Sequence, residues 1–210
     1  MFEYGVPVAA DLVKQDDILA EAVWIVLGKD ASGSDVTQGT AFSLHGVGIV
    51  SARHVFDNPC ATGDVVNTWE LFKSSAPSKR FTVSAFRDHA WLDLTIVESS
   101  APHSIALQAA TTAPITGSQL LVVGYPQWHS LGDRLSAAPC QLIQPKTIGG
   151  IRFLLTNASL REGISGGPML DGDGHVVGVA VYDGSNVSTP NSGIEISHLV
   201  DVGAANNRKL

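Results

Sequence analysis

Cysteine is scarce in this chain. Cys60 and Cys140 are the only two in 210 residues, too few for a disulfide framework, and both read as free thiols, with a single bridge between them as the alternative. Basic runs are absent as well: 13 Lys and Arg stand against 20 Asp and Glu, a formal charge of −7, which excludes a general affinity for nucleic acid or an anionic membrane. No apolar run approaches the roughly 18 residues that a membrane-crossing helix needs. Met1-Phe2-Glu3-Tyr4-Gly5-Val6-Pro7 lacks the basic segment and apolar stretch of a signal peptide, so a cytoplasmic location is expected unless a targeting segment has been removed. The seven histidines form no H-E-x-x-H or similar spacing, and neither a metal nor another cofactor is expected. Internal repeats and low-complexity tracts are also missing.

What remains is the composition of a globular protein, 44% hydrophobic and 16% charged, long enough to bury a sizeable core. Leu12, Val13, Ile18 and Leu19 recur at helical spacing, which predicts an N-terminal helical arm over residues 8–22. Most of the rest reads as short strands. Val23–Leu27, Thr40–Leu44, Val47–Ser51, Trp69–Phe72, Phe81–Val83 and Leu94–Val97 form a first set, and Gln119–Pro126, Cys140–Ile143, Ile151–Thr156, Val179–Tyr182 and Ile194–Ile196 a second. Between them the Pro- and Thr-containing stretch 102–117 reads as a connection. Asp171-Gly172-Asp173-Gly174 lacks the length and later glutamate of an EF-hand loop and reads as a hairpin turn. Ser197 is placed to cap a final helix through Val202.

Chemistry gathers at Gly163-Ile164-Ser165-Gly166-Gly167-Pro168. Glycines around one serine allow a tight turn that aims a hydroxyl and several N–H groups at one point. A serine hydroxyl is a poor nucleophile without a base and an orienting carboxylate. Both are available upstream, in Ser51-Ala52-Arg53-His54 and in Trp91-Leu92-Asp93-Leu94-Thr95-Ile96-Val97. An acid inside so apolar a segment demands a partner, because an unpaired buried carboxylate costs several kcal/mol. His89 is a rival base, but it lies on the same short segment as Asp93 and ranks below His54.

In this order His54, Asp93 and Ser165 resemble the motifs of the trypsin-like (chymotrypsin-fold) serine peptidases: S-A-x-H, Asp-Leu in an apolar strand, and G-x-S-G-G-P. Gln38-Gly39-Thr40-Ala41-Phe42, Val177-Gly178-Val179 and Gly193-Ile194-Glu195-Ile196 resemble further strands of that family. The likeness covers about residues 20–200 and is nearest the compact bacterial high-temperature-requirement type. It implies an all-β fold of two six-stranded antiparallel barrels with the active site in the cleft between them and short terminal helices. The division would be an arm (1–22), a first barrel with His54 and Asp93 (23–110), and a second barrel with Ser165 and the C-terminal helix (111–210).

The resemblance also implies roles. Ser165 would attack a peptide carbonyl, His54 would act as base and then acid, and Asp93 would orient the imidazole. The backbone N–H groups of Gly163 and Ser165 would stabilise the oxyanion. Ser159 would form the base of the specificity pocket and Val181, Tyr182 and Asp183 its wall, which favours a small or apolar residue before the cut. Position 164 is Ile, where zymogen-activated relatives carry an aspartate, so activation by N-terminal cleavage is not expected. A polypeptide substrate is the expected partner, with an activating partner or companion domain as a further candidate. The alternatives are a catalytically silent binding module on the same fold, or the peptidase part of a longer protein.

Overall fold

The computed structural model describes residues 16–89, 92–102, 105–127, 134–181, 191–200 and 206–209. Helix α1 (Asp16–Ala22) leads into strands β1 (Val23–Lys29), β2 (Asp35–Leu44) and β3 (Gly48–Ser51), followed by β4 (Thr68–Lys73), β5 (Ala76–Asp88) and β6 (Thr95–Ser99). Antiparallel pairings run β1 to β2, β3, β6, β5, β4 and back to β1, which closes a first barrel. Strands β7 (Gln119–Gly124), β8 (Ser136–Ile148), β9 (Ile151–Thr156), β10 (Pro168–Leu170), β11 (Val176–Val181) and β12 (Ser192–Glu195) close a second. Helix α2 (Ser197–Val200) follows, and β13 (Asn206–Lys209) pairs with β5 of the first barrel. The all-β, two-barrel architecture expected from the sequence is the one observed. Of the anticipated helices, residues 8–15 and 201–202 lie outside the described residues. None of the described helices is long and apolar enough to cross a membrane.

The two barrels share apolar surface, which explains the unbroken run Leu120-Leu121-Val122-Val123. Leu120 and Val122 face the core of the second barrel with Cys140, Leu142, Leu154 and Met169, whereas Leu121 and Val123 join the cluster that fills the first barrel. Strand β11 divides the same way, with Val177 and Ala180 on one side and Val176 and Val179 on the other. A strand buried on both faces reads as a continuous apolar run. Each such side chain is worth about 2 kcal/mol of burial, so the inter-barrel contact resembles a core. The connection is pinned to both barrels. Leu107 exchanges backbone bonds with Ser43 and His45 of the first, and Gln108 and Ala110 bond Val176 of the second.

Both cysteines are free and buried. Burial pushes the Cys140 thiol up to about 11, so it offers no thiolate nucleophile at neutral pH.

Lys73 anchors the helix to the first barrel. Its ammonium, almost fully buried, donates to the carbonyls of Glu21 (2.5 Å) and Val23 (3.2 Å) and sits 3.4 Å above the Trp24 ring. Two carbonyls and a ring face match the three donors of an ammonium group. The change Lys73→Met removes both donations, one of them to the carbonyl of fully buried Val23, and is expected to cost about 2 kcal/mol. A urea melt would show this as a lower midpoint at unchanged slope, and an unchanged midpoint would refute it.

Candidate active site

His54 is set by its apolar neighbours. A 3₁₀ turn, Arg53–Phe56, follows β3, and its Val55 and Phe56 are buried. Phe56 packs with its ring centre 4.7 Å from that of Phe86 and 6.2 Å from that of Trp69. Gly39 makes room for this turn, since a Cβ there would collide with Val55. The imidazole, anchored from below, is left half-exposed.

Asp93 meets it with both oxygens. Oδ1 accepts the His54 backbone N–H at 2.7 Å and Oδ2 lies 2.5 Å from Nδ1. Only Nδ1–H can donate to a carboxylate, so this contact fixes the neutral tautomer with its lone pair on Nε2. The Arg53 N–H also bonds the Asp93 carbonyl at 3.3 Å. Asp93 precedes β6 by two residues, in a bend instead of the strand expected from its apolar surroundings.

The electrostatics of the pair are mutual. Burial alone would lower the His54 pKa, but the hydrogen bond and charge of Asp93, helped by Asp57, hold it above its ordinary value. Burial would likewise raise Asp93, and the bonds and charge from His54 keep it below the usual carboxylate range. His89 has other company: its N–H bonds the Leu94 carbonyl, and burial together with the nearby His198 lowers its pKa.

Ser165 comes from the second barrel and is buried. Its carbonyl accepts the Thr40 N–H of β2 at 2.9 Å, the Gly166 N–H bonds the Ala180 carbonyl at 2.8 Å, and the Gly167 N–H bonds the Ile164 carbonyl at 2.9 Å. Gly166 has a φ of +87°, and a Cβ on it would fall on the Thr40 carbonyl and Ser51 Oγ and lie 2.9 Å from the Ala52 nitrogen. The serine turn therefore rests directly on Ser51 and Ala52, the residues that lead into His54. Asp93 and His54 meet in the first barrel, and the serine turn of the second barrel packs on the residues that lead into His54.

The preceding residues form a second turn. Ile164 N–H bonds the Arg161 carbonyl at 3.2 Å, and Gly163 has a φ of +88°, which defines a type II turn with glycine at its third position. The Glu162 carbonyl accepts the Gln127 N–H at 3.2 Å. Because C=O and N–H oppose each other across a trans peptide, the Gly163 N–H points away from Gln127.

Of the expected pocket residues, Ser159 is exposed between buried Ala158 and Leu160, and Val181 is buried at the end of β11. Tyr182 and Asp183 lie outside the described residues. At the hairpin between β10 and β11, Asp171 Oδ1 accepts the N–H groups of Asp173 (3.0 Å) and His175 (2.8 Å). Sequence reasoning missed the residues that brace the serine turn, namely Thr40 and Gln38. The sequence signal was only a polar Thr40 beside apolar Ala41 and Phe42; that Thr40 is fully buried, in a strand whose later half is entirely buried, appears only in the fold.

Two closed antiparallel barrels joined along a shared core, with this cluster between them, are the architecture of the chymotrypsin-fold serine peptidases. The chain belongs to the trypsin-like peptidase family: the model of the trypsin-like peptidase domain matches residues 39–179. Solved structures with the same fold include the active form of the Rv3671c protease from M. tuberculosis, at 21% identity and TM-score 0.67, covering 95% of this chain and 86% of that one. The inactive form of the same protease matches at 20% identity and TM-score 0.63, covering 94% and 93%. A serine endoprotease from Yersinia pestis matches at 19% identity and TM-score 0.67, covering 90% of this chain and 63% of that one. Comparison with curated proteins finds no match.

Proposed function

We propose that this chain is a serine endopeptidase. Ser165 Oγ attacks the scissile carbonyl, His54 Nε2 takes its proton and returns it to the leaving amine, and Asp93 orients the imidazole and balances its charge. The resulting acyl-enzyme is released by water activated by the same histidine. Negative charge on the carbonyl oxygen is met by the backbone N–H groups of Gly163 and Ser165. The observation that carries this reading is the two-point contact of Asp93 with His54, which leaves Nε2 as the base beside a serine turn packed on Ser51 and Ala52.

The substrate is a polypeptide with a small or apolar residue before the cut. Ser159, the expected base of the pocket, is small and neutral and its neighbours Ala158 and Leu160 are apolar, so the base offers a lysine or arginine side chain no partner for its charge. The test is labelling with a fluorophosphonate probe, read by intact mass and peptide mapping, followed by fluorogenic peptides that differ only before the cut. A single adduct on Ser165, absent from Ser165→Ala, with fastest cleavage after an apolar residue, is the expected result. No adduct would overturn the peptidase reading, and fastest cleavage after Lys or Arg would overturn the preference.

A further inference from the structure

Thr40 uses every polar atom it has to join the first barrel to the serine turn. The residue is fully buried. Its N–H donates to the Ser165 carbonyl at 2.9 Å, its hydroxyl donates to the Gly163 carbonyl at 2.6 Å and accepts from the Tyr125 N–H at 3.1 Å, and its own carbonyl accepts from Ser51 Oγ at 2.7 Å. Two residues earlier on the same face of β2, Gln38 Nε2 donates to the Tyr125 carbonyl at 2.6 Å. A Cβ on Gly163 would come within 2.5 Å of both that amide nitrogen and the Tyr125 carbonyl. Gly124 completes the fit, because a Cβ there would stand 2.9 Å from the Thr40 hydroxyl.

These contacts bear on one geometrical choice. A four-residue turn can present its central peptide in either of two orientations, type I or type II, which differ by roughly a half-turn of that peptide. In one of them the Gly163 N–H faces one side; in the other the Glu162 carbonyl takes its place. Thr40 grips the carbonyl on each side of Ile164, and Gln127 holds the Glu162 carbonyl from across the turn. With three carbonyls engaged, reversal of the central peptide would break the Gln127 bond and disturb the Thr40 hydroxyl.

We infer that Thr40 is a positioning residue of this site: from the first barrel it holds the turn Arg161–Ile164 in the orientation that sets the Gly163 N–H for the developing oxyanion before substrate arrives. The inference rests on the peptidase reading given above and assigns the ordering of the turn to the chain's own hydroxyl. A threonine is required because valine keeps its shape but neither donates to Gly163 nor accepts from Tyr125, whereas serine does both.

The test compares Thr40→Val and Thr40→Ser with the parent in two measurements. In steady-state hydrolysis of a fluorogenic peptide, Thr40→Val is expected to lower kcat about 100-fold, the scale of losing one oxyanion donor, with KM little changed, and Thr40→Ser to restore most of it. In amide exchange of the folded proteins, the Ile164 N–H is expected to exchange faster in Thr40→Val and at the parent rate in Thr40→Ser. A Thr40→Val protein with parental kcat and parental exchange overturns the inference, as does equal loss in both variants. If Thr40→Val does not fold, as shown by its melt, Thr40→Ala is read in its place. A parent that hydrolyses nothing overturns the peptidase reading, and the exchange comparison still decides whether Thr40 holds the turn.

Discussion

Replacing Asp93 by asparagine is expected to lower kcat/KM about 10⁴-fold, the loss characteristic of Ser-His-Asp enzymes when the orienting carboxylate becomes an amide. The cause is the tautomer. Oδ2 accepts from Nδ1–H at 2.5 Å while Oδ1 holds the His54 backbone N–H at 2.7 Å. An asparagine oxygen satisfies the backbone N–H, which places its NH₂ group against Nδ1. That group can only donate, so the imidazole proton moves to Nε2 and the base loses its lone pair on the serine side.

The pH profile should move as well, and its sign follows from the present balance. Burial acts to lower His54, and the bond and charge of Asp93 outweigh it, leaving the pKa above 6.5. The base must be neutral, so parental kcat/KM should fall as pH drops through a value above 6.5. With Asp93→Asn the larger opposing influence is gone, and only Asp57 remains against burial. The acid limb of the residual activity is then expected below that of the parent, measurable from about pH 5 to 9. A loss smaller than about tenfold, or an acid limb that does not move, would remove Asp93 from its assigned role.

The triad candidates were legible because each carries a local contradiction. An aspartate among Leu92, Leu94, Ile96 and Val97, a histidine followed by buried Val55 and Phe56, and a serine among glycines all break the pattern of their surroundings. The interior strands were legible for the opposite reason, since β1, β7 and β11 are apolar on both faces.

Strands β5 and β8 were read far too short, and the reason is chemical. Each runs for 13 residues. Their sequences include Pro77, Pro139 and Pro145, and many of their side chains are exposed, so neither alternation nor β-propensity marks their ends. Long pairing, from Gln119↔Gln141 to Gly124↔Ser136 on one side of β8 and out to Ile148↔Ile151 on the other, defines it instead. Such partners are distant in sequence or exposed at a hairpin. Strand β13 left no signal for a related reason: Asn206-Asn207-Arg208-Lys209 is polar throughout, and only its alignment with Ala85–Asp88 makes it a strand.

The bracing of the site was hidden more deeply, because it depends on approach between barrels. Nothing in Gln38-Gly39-Thr40 indicates that Gly163, Tyr125 and Ser165 will present carbonyls to it from more than 80 residues away. Glycines gave only half of this information. Gly163 and Gly166 are legible as turn residues, whereas the reason a side chain cannot be tolerated at Gly166 is the close approach of Thr40 and Ser51.

That approach supplies a sharp prediction for Gly166→Ala. An alanine at a φ of +87° costs about 1 to 2 kcal/mol for the left-handed backbone alone. Its Cβ would also fall on the Thr40 carbonyl and Ser51 Oγ and lie 2.9 Å from the Ala52 nitrogen. Two of these three atoms are backbone, held in β2 and in the segment entering the His54 turn, so they cannot swing aside as a flexible side chain would. The serine turn must lift, which strains the Gly166 N–H bond to Ala180 and the Thr40 N–H bond to Ser165. The total is expected near 4 kcal/mol, at the upper end of single substitutions. Gly33→Ala separates the two contributions, because Gly33 has a φ of +84° with nothing within 4 Å of the added Cβ, leaving only the backbone cost of about 1 to 2 kcal/mol. Lifting the turn would also move Ser165, the proposed nucleophile, relative to His54, the proposed base, and a shift of about 1 Å in such a pair is worth roughly 100-fold in rate. Chemical melts should therefore separate the two variants by about 2 kcal/mol or more, with kcat/KM retained in Gly33→Ala and reduced at least about 100-fold in Gly166→Ala. Equal melts would mean that the turn yields freely where it meets Ser51 and Ala52, and equal rates would mean that the placement of Ser165 against His54 does not depend on this contact.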